Sequence, residues 1–391
     1  MKILYITGGL TPYRIAFCDQ VNQILTENKL GELKLFLLSE EGFNSNYNNN
    51  QLMRNYAAFI PGKTVVLCDG TTRFMINPSI AKKVIEYSPD LVILGGSWLH
   101  PTSWILLLNK RKIGVPIYFW SESHFRNGIK RKKKKVILEV LRKKVYDCFD
   151  GFFVPGKYAK EAIESTQCKN AANCIQLPNL VENTKYYTAF LNQANKDCLR
   201  DKYGVSKRQI VLFSPSRLVD IKGIVDFIKN GVDELKDPIF TWFIAGIGPL
   251  HDEIEQLARK YHLDIRMLGF IDQSSIVECL TLADWFLLPS LSDPNPLSVI
   301  EALWSGLPLA LSSYVGNLPE TLSCGVNGWE FDTLSQKSVI DALIRIKQSN
   351  EAWRLMAQKT SIKIAQENFD IRSQSQRFID NIGNIIDEKK K

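Results

Sequence analysis

Short apolar runs rich in β-branched and aromatic residues recur along this chain, separated by stretches of amphipathic, helix-like sequence. In the first half the runs are Lys2–Thr7, Leu33–Leu38, Leu91–Leu94, Ile117–Trp120, Gly151–Val154 and Ile175–Leu177. In the second half they are Ile210–Ser214, Phe240–Ala245, Ile265–Leu268, Trp285–Leu288, Leu307–Leu311 and Gly328–Phe331. Near-continuous hydrophobic strands are typical of parallel sheets that are covered on both faces. The alternation therefore predicts an α/β chain built from doubly wound, Rossmann-like sheets.

The chain divides into two such regions. Its 391 residues are too many for one ordinary domain. The strand pattern breaks between Pro178 and Tyr203 and starts afresh at Ile210. We predict an N-terminal domain over 1–180, a C-terminal domain over 181–370 and a closing amphipathic helix over 371–391 that could pack back on the first domain. Two open sheets of this kind bind ligands at the carboxyl ends of their strands, here in a cleft between facing domains.

The overall composition narrows the class of partner and the compartment. The formal net charge of +8 favours an acidic partner, which could be nucleic acid, an anionic membrane or a phosphorylated small molecule. The eight cysteines show no CxxC pair, so we predict reduced thiols, a cytoplasmic location and no metal site. The apolar start Met1–Leu10 is short and predicts a first strand, not a signal peptide. No apolar run is long enough to span a bilayer.

Charged residues and glycines follow the strands of the second half. Arg217 and Lys222 come just after a predicted strand, where a guanidinium and an ammonium can grip a diphosphate. Taken alone, two such residues are more often simply solvated surface cations. Gly246 and Gly248 follow the next strand, where a missing side chain lets the backbone approach a ligand, although an ordinary strand-to-helix turn has the same pattern.

A second cluster lies in the segment from Asp293 to Gly306. Pro296 suits the first turn of a helix. The unpaired N–H groups of Leu297 and Ser298 would then form an anion-binding site. Glu301 lies four residues past Leu297 on the same helical face. A carboxylate one turn below a phosphate seat can bind a ribose diol, whereas a lone glutamate on a helix is more often simply solvated.

The order, spacing and strand-end placement of these features resemble the retaining glycosyltransferases of family 4, which have the GT-B fold of two facing Rossmann-like domains. The resemblance covers nearly the whole chain and is strongest in the second half. It implies that Arg217 and Lys222 bind the diphosphate of a nucleotide-sugar donor and that Glu301 binds its ribose. Asp293 occupies the first acidic position of the family's Glu-x7-Glu pair, beside the transferred sugar, and departs from the family by one methylene. The stretch from Ser313 to Glu320, with Gly325 and Gly328, also resembles the family's closing glycine-rich region.

The first half carries two further candidates. Gly8 and Gly9 after the first strand resemble the family's glycine pair and would let that loop approach the donor, although a plain turn fits equally well. His124 follows a central strand, and the resemblance implies a position beside the donor sugar. A structural histidine is the alternative, and Glu122 competes for any polar role.

A basic block, Lys130–Lys135, precedes apolar residues that can form one face of a helix. Such a helix suits an anionic membrane surface, where each cation adds about 1 kcal/mol, and hence a lipid-linked acceptor. A solvated helix face is the plainer alternative. Nucleic acid is a poorer fit, because no aromatic residues are interleaved with the cations.

These observations together predict a metal-independent, cofactor-independent, retaining transfer of a sugar from a nucleotide-sugar donor to a glycan or lipid-linked acceptor in polysaccharide or glycoconjugate synthesis. Arg217, Lys222 and the helix N–H groups would stabilise the leaving diphosphate. Two alternatives remain open: a non-catalytic partner subunit that kept the fold, and a sugar-nucleotide hydrolase or epimerase. The sequence leaves the donor base, the sugar and the acceptor unnamed.

Overall fold

The computed structural model describes residues 1–39, 52–66, 73–128, 136–192 and 195–390. Its strands are β1 Lys2–Thr7, β2 Glu32–Leu37, β3 Ala57–Phe59, β4 Lys63–Val66, β5 Arg73–Ile76, β6 Leu91–Leu94, β7 Ile117–Trp120, β8 Gly151–Val154, β9 Cys174–Gln176, β10 Ile210–Pro215, β11 Phe240–Ala245, β12 Ile265–Gly269, β13 Trp285–Leu288, β14 Leu309–Ser312 and β15 Gly328–Phe331. Its helices are α1 Pro12–Glu27, α2 Ile80–Tyr87, α3 Pro101–Leu108, α4 Lys110–Ile113, α5 Val136–Tyr146, α6 Lys157–Glu164, α7 Thr184–Leu191, α8 Asn195–Lys202, α9 Ile224–Leu235, α10 His251–Tyr261, α11 Gln273–Leu282, α12 Leu297–Trp304, α13 Leu318–Thr321, α14 Gln336–Gln348, α15 Glu351–Phe369 and α16 Ile371–Lys390.

The first compact unit is built on a seven-stranded sheet in the order β3-β2-β1-β6-β7-β8-β9, all parallel. The chain moves outward from β1 to β3 and then resumes on the other side of β1 with β6. The strand order therefore reverses between β1 and β6, and such a reversal opens a crevice at the carboxyl ends of the two strands. A separate antiparallel hairpin, β4–β5, accompanies this sheet.

The closing helix α16 belongs to this first unit, together with the described residues up to Ser123 and the stretch that ends at Leu180. The Phe378 ring on α16 meets the Phe17 ring of α1 at 5.2 Å and the Phe153 ring of β8 at 5.6 Å. These apolar contacts fix the helix on one face of the sheet.

The second unit is built on a six-stranded parallel sheet in the order β12-β11-β10-β13-β14-β15. Its strand order reverses between β10 and β13. The core packs fully buried Trp242 and Trp285 from the sheet against Phe227 of α9. The prediction of an α/β chain with two doubly wound parallel sheets is confirmed.

The second unit contains Val181–Asp370 and also the described residues 124–128, which the sequence had assigned to the first domain. The reason is local hydrogen bonding: the Gly128 amide donates to the Leu291 carbonyl at 2.8 Å, in the loop after β13. The segment thus leaves β7, a strand of the first sheet, and binds to the second unit.

Most predicted strands agree with the observed ones to within two residues. The exceptions are β3, β4 and β5, which the apolar pattern missed. Their residues are mostly half-buried or exposed, so they lack the continuous apolar character of a central parallel strand. The predicted loop Phe43–Gln51 and the basic block Lys130–Lys135 lie outside the described residues. Within the described ranges, no helix combines the length and apolar character needed to cross a bilayer.

A buried ion-pair network ties α8 to the sheet of the second unit. The Asp284 carboxylate, just before β13, accepts from Lys196 Nζ at 2.9 Å and from Arg200 Nη1 at 3.0 Å. It also accepts from the Val211 amide of β10 at 2.9 Å. Burial raises the pKa of the Asp284 carboxyl, but the two cations outweigh burial, so the pKa lies below its ordinary value.

Replacing Asp284 with Asn should destabilise the second unit at pH 7 by about 3–5 kcal/mol, because the Arg200 guanidinium is left buried without its counter-charge. A lowered carboxyl pKa adds stability above the ordinary carboxyl pKa of about 3.9 and loses it as pH falls below that value. The difference in the free energy of unfolding between wild type and variant should therefore become smaller toward pH 4 and below, as measured by urea unfolding. Asp197→Asn, which breaks the exposed Lys207–Asp197 pair, is the control and should leave stability near wild type. A difference independent of pH would contradict the assignment.

Candidate functional site

The loop after β10 carries the first two predicted donor-binding residues. Arg217 is exposed, and Lys222 ends a short 3₁₀ turn over Asp220–Lys222. Gly223 follows with φ +62°, and a Cβ there would lie 2.1 Å from the Pro289 carbonyl oxygen. Only glycine permits this left-handed turn and close approach, so the β10 loop is held against the loop after β13.

The two loops meet through an ion pair between Lys222 and Asp293. Both side chains are largely buried, at 14% and 11% exposed. The Leu291 amide also donates to the Ile221 carbonyl at 2.8 Å. This contact lies at the carboxyl ends of β10 and β13, where the strand order reverses and where ligands bind in open α/β sheets. The structure thus brings together two residues that the sequence placed 71 positions apart.

The backbone around Asp293 is fixed by the loop after β14. The Asp293 carbonyl accepts from the Gly316 amide at 2.8 Å, and Asp293 forms an isolated parallel bridge with Val315. A Cβ on Gly316 would lie 1.9 Å from the Pro294 carbonyl oxygen. The stretch resembling the family's glycine-rich region therefore packs directly against the acidic loop and holds Asp293 in place.

Helix α12 starts immediately after this loop. Pro296 is its N-cap, with ψ 117°, and the helix begins at Leu297. The sequence had placed Pro296 inside the first turn; the proline lies one position earlier because its ψ is extended. The amides of Leu297 and Ser298 belong to the first turn, where N–H groups lack helical partners. The Asn317 side chain donates to the Pro296 carbonyl at 3.1 Å and fixes the start of the helix.

Glu301 lies one turn into α12 and is held by a residue that sequence reasoning missed. The Tyr186 hydroxyl of α7 donates to Glu301 Oε1 at 2.6 Å, and the Gln273 amide of α11 donates to Tyr186. Burial raises the pKa of the Glu301 carboxyl, opposed by the Tyr186 hydrogen bond and the Lys185 ammonium. Burial and the Glu301 charge raise the pKa of Tyr186, which stays a donor.

Gly246 and Gly248 lie against the Arg217 loop. A Cβ on Gly246, at φ +148°, would lie 1.9 Å from the Ser216 carbonyl oxygen. One on Gly248 would lie 2.3 Å from the Leu218 carbonyl oxygen. Both glycines therefore allow the loop after β11 to pack closely on the loop that presents Arg217. Their observed role is to position that loop.

His124 is half-buried at the start of the segment that joins the second unit. Further along this segment, Gly128 lies against the Tyr314 ring, where a Cβ would be 2.8 Å from the nearest ring carbon. The Tyr314 carbonyl in turn accepts from the Asp293 amide at 3.4 Å. The segment carrying His124 therefore shares a neighbour with the Asp293 loop.

Gly8 and Gly9 lie in the first unit and are buried at the end of β1. The Arg14 guanidinium donates to Thr7 Oγ1 at 2.8 Å and to the Gly9 carbonyl at 3.3 Å. These two hydrogen bonds fix the turn between β1 and α1, next to the reversal of strand order between β1 and β6.

Asn295 is a second residue that the sequence did not single out. Its side-chain Nδ2 is buried in the acidic loop and has no hydrogen-bond partner among the described residues. Its position between Pro294 and Pro296 could have indicated it, because prolines restrict the backbone of the residues next to them. Tyr186 and Gln273 gave no such signal, because each is distant in sequence from Glu301.

The arrangement in the second unit can bind a diphosphate and a diol at one sheet edge. Lys222 and Arg217 supply positive charge, and the start of α12 supplies N–H donors for anionic oxygens. The Glu301 carboxylate, one helical turn away, accepts from hydroxyl groups. Asp293 places a carboxylate beside the cations.

Comparison with known proteins locates this region in a family. Residues 195–362 match the sequence model of the glycosyl transferases group 1. The chain is 23% identical over 189 residues to N-acetyl-alpha-D-glucosaminyl L-malate synthase of Bacillus anthracis, covering 48% of each protein. It is 25% identical over 228 residues to alpha-monoglucosyldiacylglycerol synthase of Streptococcus pneumoniae, covering 57% of this chain and 50% of that protein. The alignments thus span about half the length of these relatives.

Solved structures extend the likeness to the fold of nearly the whole chain. Anabaena Alr3699/HepE in complex with UDP aligns with a TM-score of 0.73 at 16% identity, over 98% of this chain and 100% of that one. A glycosyltransferase from Rickettsia africae ESF-5 aligns with a TM-score of 0.74 at 14% identity, over 98% of each. The chain therefore has the GT-B fold, and the greater part of its second unit, residues 195–362, is similar in sequence to the glycosyl transferases group 1 family.

Proposed function

We propose that this protein is a retaining glycosyltransferase that moves a sugar from a nucleotide-sugar donor to a glycan or lipid-linked acceptor. The observation that carries the proposal is the meeting of Lys222 and Asp293 at the strand reversal of the second unit, with Arg217 on the same loop as Lys222. The two cations, Arg217 and Lys222, can bind a diphosphate there, and the match to the glycosyltransferase family model supports a sugar as the transferred group.

Charge stabilisation supplies most of the proposed catalysis. As the bond from the anomeric carbon to the diphosphate breaks, negative charge grows on the leaving oxygen and positive charge on the sugar ring. Arg217, Lys222 and the first N–H groups of α12 stabilise the diphosphate, and Asp293 favours the positive ring. The acceptor hydroxyl attacks from the face that the diphosphate leaves, and its proton passes to the leaving group. The cations take the place of a metal ion, so we expect turnover in the presence of a chelator.

Relatives support both donor and acceptor classes. The Anabaena protein was solved in complex with UDP, and the Streptococcus pneumoniae relative is named for an alpha-monoglucosyldiacylglycerol product. We propose a lipid-linked or glycan acceptor in cell-surface polysaccharide or glycoconjugate synthesis. The described cysteines are all unpaired, which suits the cytoplasm, where nucleotide sugars are made.

The alternatives differ in donor turnover. A transferase consumes a nucleotide sugar faster when a diacylglycerol or glycan acceptor is added, and the product keeps the anomeric configuration of the donor. A hydrolase consumes the donor equally with and without acceptor, an epimerase converts it without releasing nucleotide, and a non-catalytic subunit does neither. A panel of nucleotide sugars, ranked by thermal stabilisation of the protein, selects the donor for this assay.

Arg217→Ala should weaken binding of the free nucleoside diphosphate by about 10- to 150-fold, because charge-assisted hydrogen bonds contribute roughly 1.5–3 kcal/mol. Calorimetry on the folded variant measures this loss. Arg208→Ala removes another exposed guanidinium of the same unit and should leave affinity unchanged. Equal affinities for the two variants would rule out diphosphate binding by Arg217.

Asp293→Asn should lower transfer by about 10²–10³, since a positioned charge opposite the developing cation is lost. Nucleoside diphosphate affinity should stay equal or rise, because the Lys222 ammonium no longer has a competing carboxylate. Asp293→Glu should change activity or donor preference without loss of folding. The control Asp197→Asn breaks an exposed Asp–Lys pair of the same unit. Full transfer by Asp293→Asn would assign the sugar-side role to another residue.

Helix α5 presents exposed apolar residues and lysines that support membrane binding. Ile137 is 78% exposed and Val140 is 51% exposed, with Lys143 and Lys144 in the last turn. Apolar residues next to cations on one exposed helix are typical of interfacial helices. We propose that α5 and the preceding basic block, Lys130–Lys135, bind an anionic bilayer and bring the enzyme to a lipid-linked acceptor.

Replacing Lys132–Lys135 with Gln should reduce co-sedimentation with phosphatidylglycerol vesicles chiefly at low salt, where surface charge is least screened. The double variant Ile137→Ser/Val140→Ser should reduce it at high salt as well, because burial of apolar area is not screened. Leu355→Ser/Met356→Ser alters two apolar residues of the second unit that are 48% and 45% exposed, and serves as the control. Failure of the wild type to bind these vesicles at low salt would refute the hypothesis.

A further inference from the structure

Helix α7 packs against helix α12, which carries Glu301. The Tyr187 ring meets the Trp304 ring edge-on, with centroids 5.9 Å apart. Phe190 covers Gly306, where an added Cβ would lie 2.4 Å from the ring. These contacts hold α7 against α12 directly after Tyr186, which is itself 1% exposed. The packing of α7 on α12 therefore restrains the position of the Tyr186 hydroxyl.

The direction of the hydrogen bonds is also set. The Gln273 amide donates to the Tyr186 oxygen, so the single hydroxyl proton of Tyr186 points to Glu301 Oε1, 2.6 Å away. Gln273 is the first residue of α11, whose N-cap Asp272 accepts from the Ser275 amide at 2.8 Å. Three helices, α7, α11 and α12, thus converge on one carboxylate.

A free glutamate would not hold a fixed plane, because its terminal torsion is broad. The Tyr186 hydrogen bond engages one oxygen and restrains that torsion, which leaves the other oxygen of the carboxylate at a fixed place. Two adjacent hydroxyls of a ribose need such a preset acceptor, whereas a base or a diphosphate does not.

We infer that Tyr186, supported by Gln273, positions the Glu301 carboxylate for a ribose diol and so makes the site select ribonucleotides over 2′-deoxyribonucleotides. The inference rests on the proposed function, in which Glu301 faces the ribose of the donor. Tyr186 is a positioning residue, since it acts on the ligand through Glu301.

The test measures binding of UDP, GDP and ADP, each beside its 2′-deoxy counterpart, to the full chain by calorimetry. For the tightest pair, wild type should prefer the ribonucleotide by about tenfold or more, as a hydrogen bond to a charged group predicts. Tyr186→Phe keeps the ring but removes the hydroxyl, and should reduce this preference by about fivefold. A preference retained within about twofold would overturn the inference.

Tyr203→Phe is the matched control. The Tyr203 hydroxyl also donates to a glutamate, Glu278 of α11, at 3.0 Å, but this pair lies outside the candidate site. It should leave the ribose preference unchanged. A folded Tyr186→Phe variant, checked by thermal unfolding beside Tyr203→Phe, separates loss of positioning from loss of structure.

Glu301→Gln separates this inference from the proposed function. If no diphosphate binds the wild type, the proposed function fails and the inference with it. If diphosphates bind but Glu301→Gln keeps the ribose preference, Glu301 does not face the ribose and the inference is wrong. If Glu301→Gln loses the preference and Tyr186→Phe keeps it, only the role of Tyr186 fails.

A pH profile gives a readout that a purely structural role would not change. The groups that face Glu301 are Tyr186 and Gln273, which donate hydrogen bonds, and the Lys185 ammonium, while Glu182 acts on Tyr186. Because Tyr186 opposes the rise that burial causes in the pKa of Glu301, Tyr186→Phe should move the acidic loss of ribose preference to higher pH. The preference is a ratio of two diphosphates, so titration of the phosphates cancels. An unshifted profile would contradict the inference.

Discussion

The reversal of strand order between β10 and β13 is the constraint on which the candidate site depends. Two neighbouring parallel strands whose connections leave in opposite directions cannot have their carboxyl ends covered by the same loop. The Lys222–Asp293 ion pair joins the two loops there, together with the hydrogen bond from the Leu291 amide to the Ile221 carbonyl. Gly223 and Gly316 make this possible, because each brings one backbone against another where a side chain would collide.

Buried ion pairs are a second feature of the second unit. A buried ion is costly unless a counter-charge and hydrogen bonds accompany it. Asp284 meets this condition with two cations and a backbone amide, and it holds α8 on the sheet. Lys222 and Asp293 meet it with each other. In the proposed function, a donor diphosphate would bind the Lys222 ammonium while backbone contacts hold Asp293 in place.

The position of Glu301 depends on neighbours that are distant in sequence and that residue type alone does not identify. Its carboxylate is held through Tyr186 of α7, which is 115 positions away in sequence, and Tyr186 is in turn held by Gln273 of α11. The apolar side chains of Tyr187 and Phe190 keep α7 in place. Packing of one helix thus sets the hydrogen-bonding geometry of another.

The sequence by itself determined the two parallel sheets and the order of candidate residues, because buried strands need continuous apolar runs and anion sites need cations or helix starts after them. It predicted the placement of Arg217, Lys222, Asp293 and Glu301 at strand or helix ends, although their roles as ligand contacts remain predictions. It missed β3 to β5, whose partial exposure leaves no apolar run. Only the tertiary structure decided that Lys222 pairs with Asp293, that Tyr186 holds Glu301 and that residues 124–128 join the second unit. Those contacts join positions far apart in sequence, and their formation depends on strand order and helix packing, which no local pattern of residues encodes.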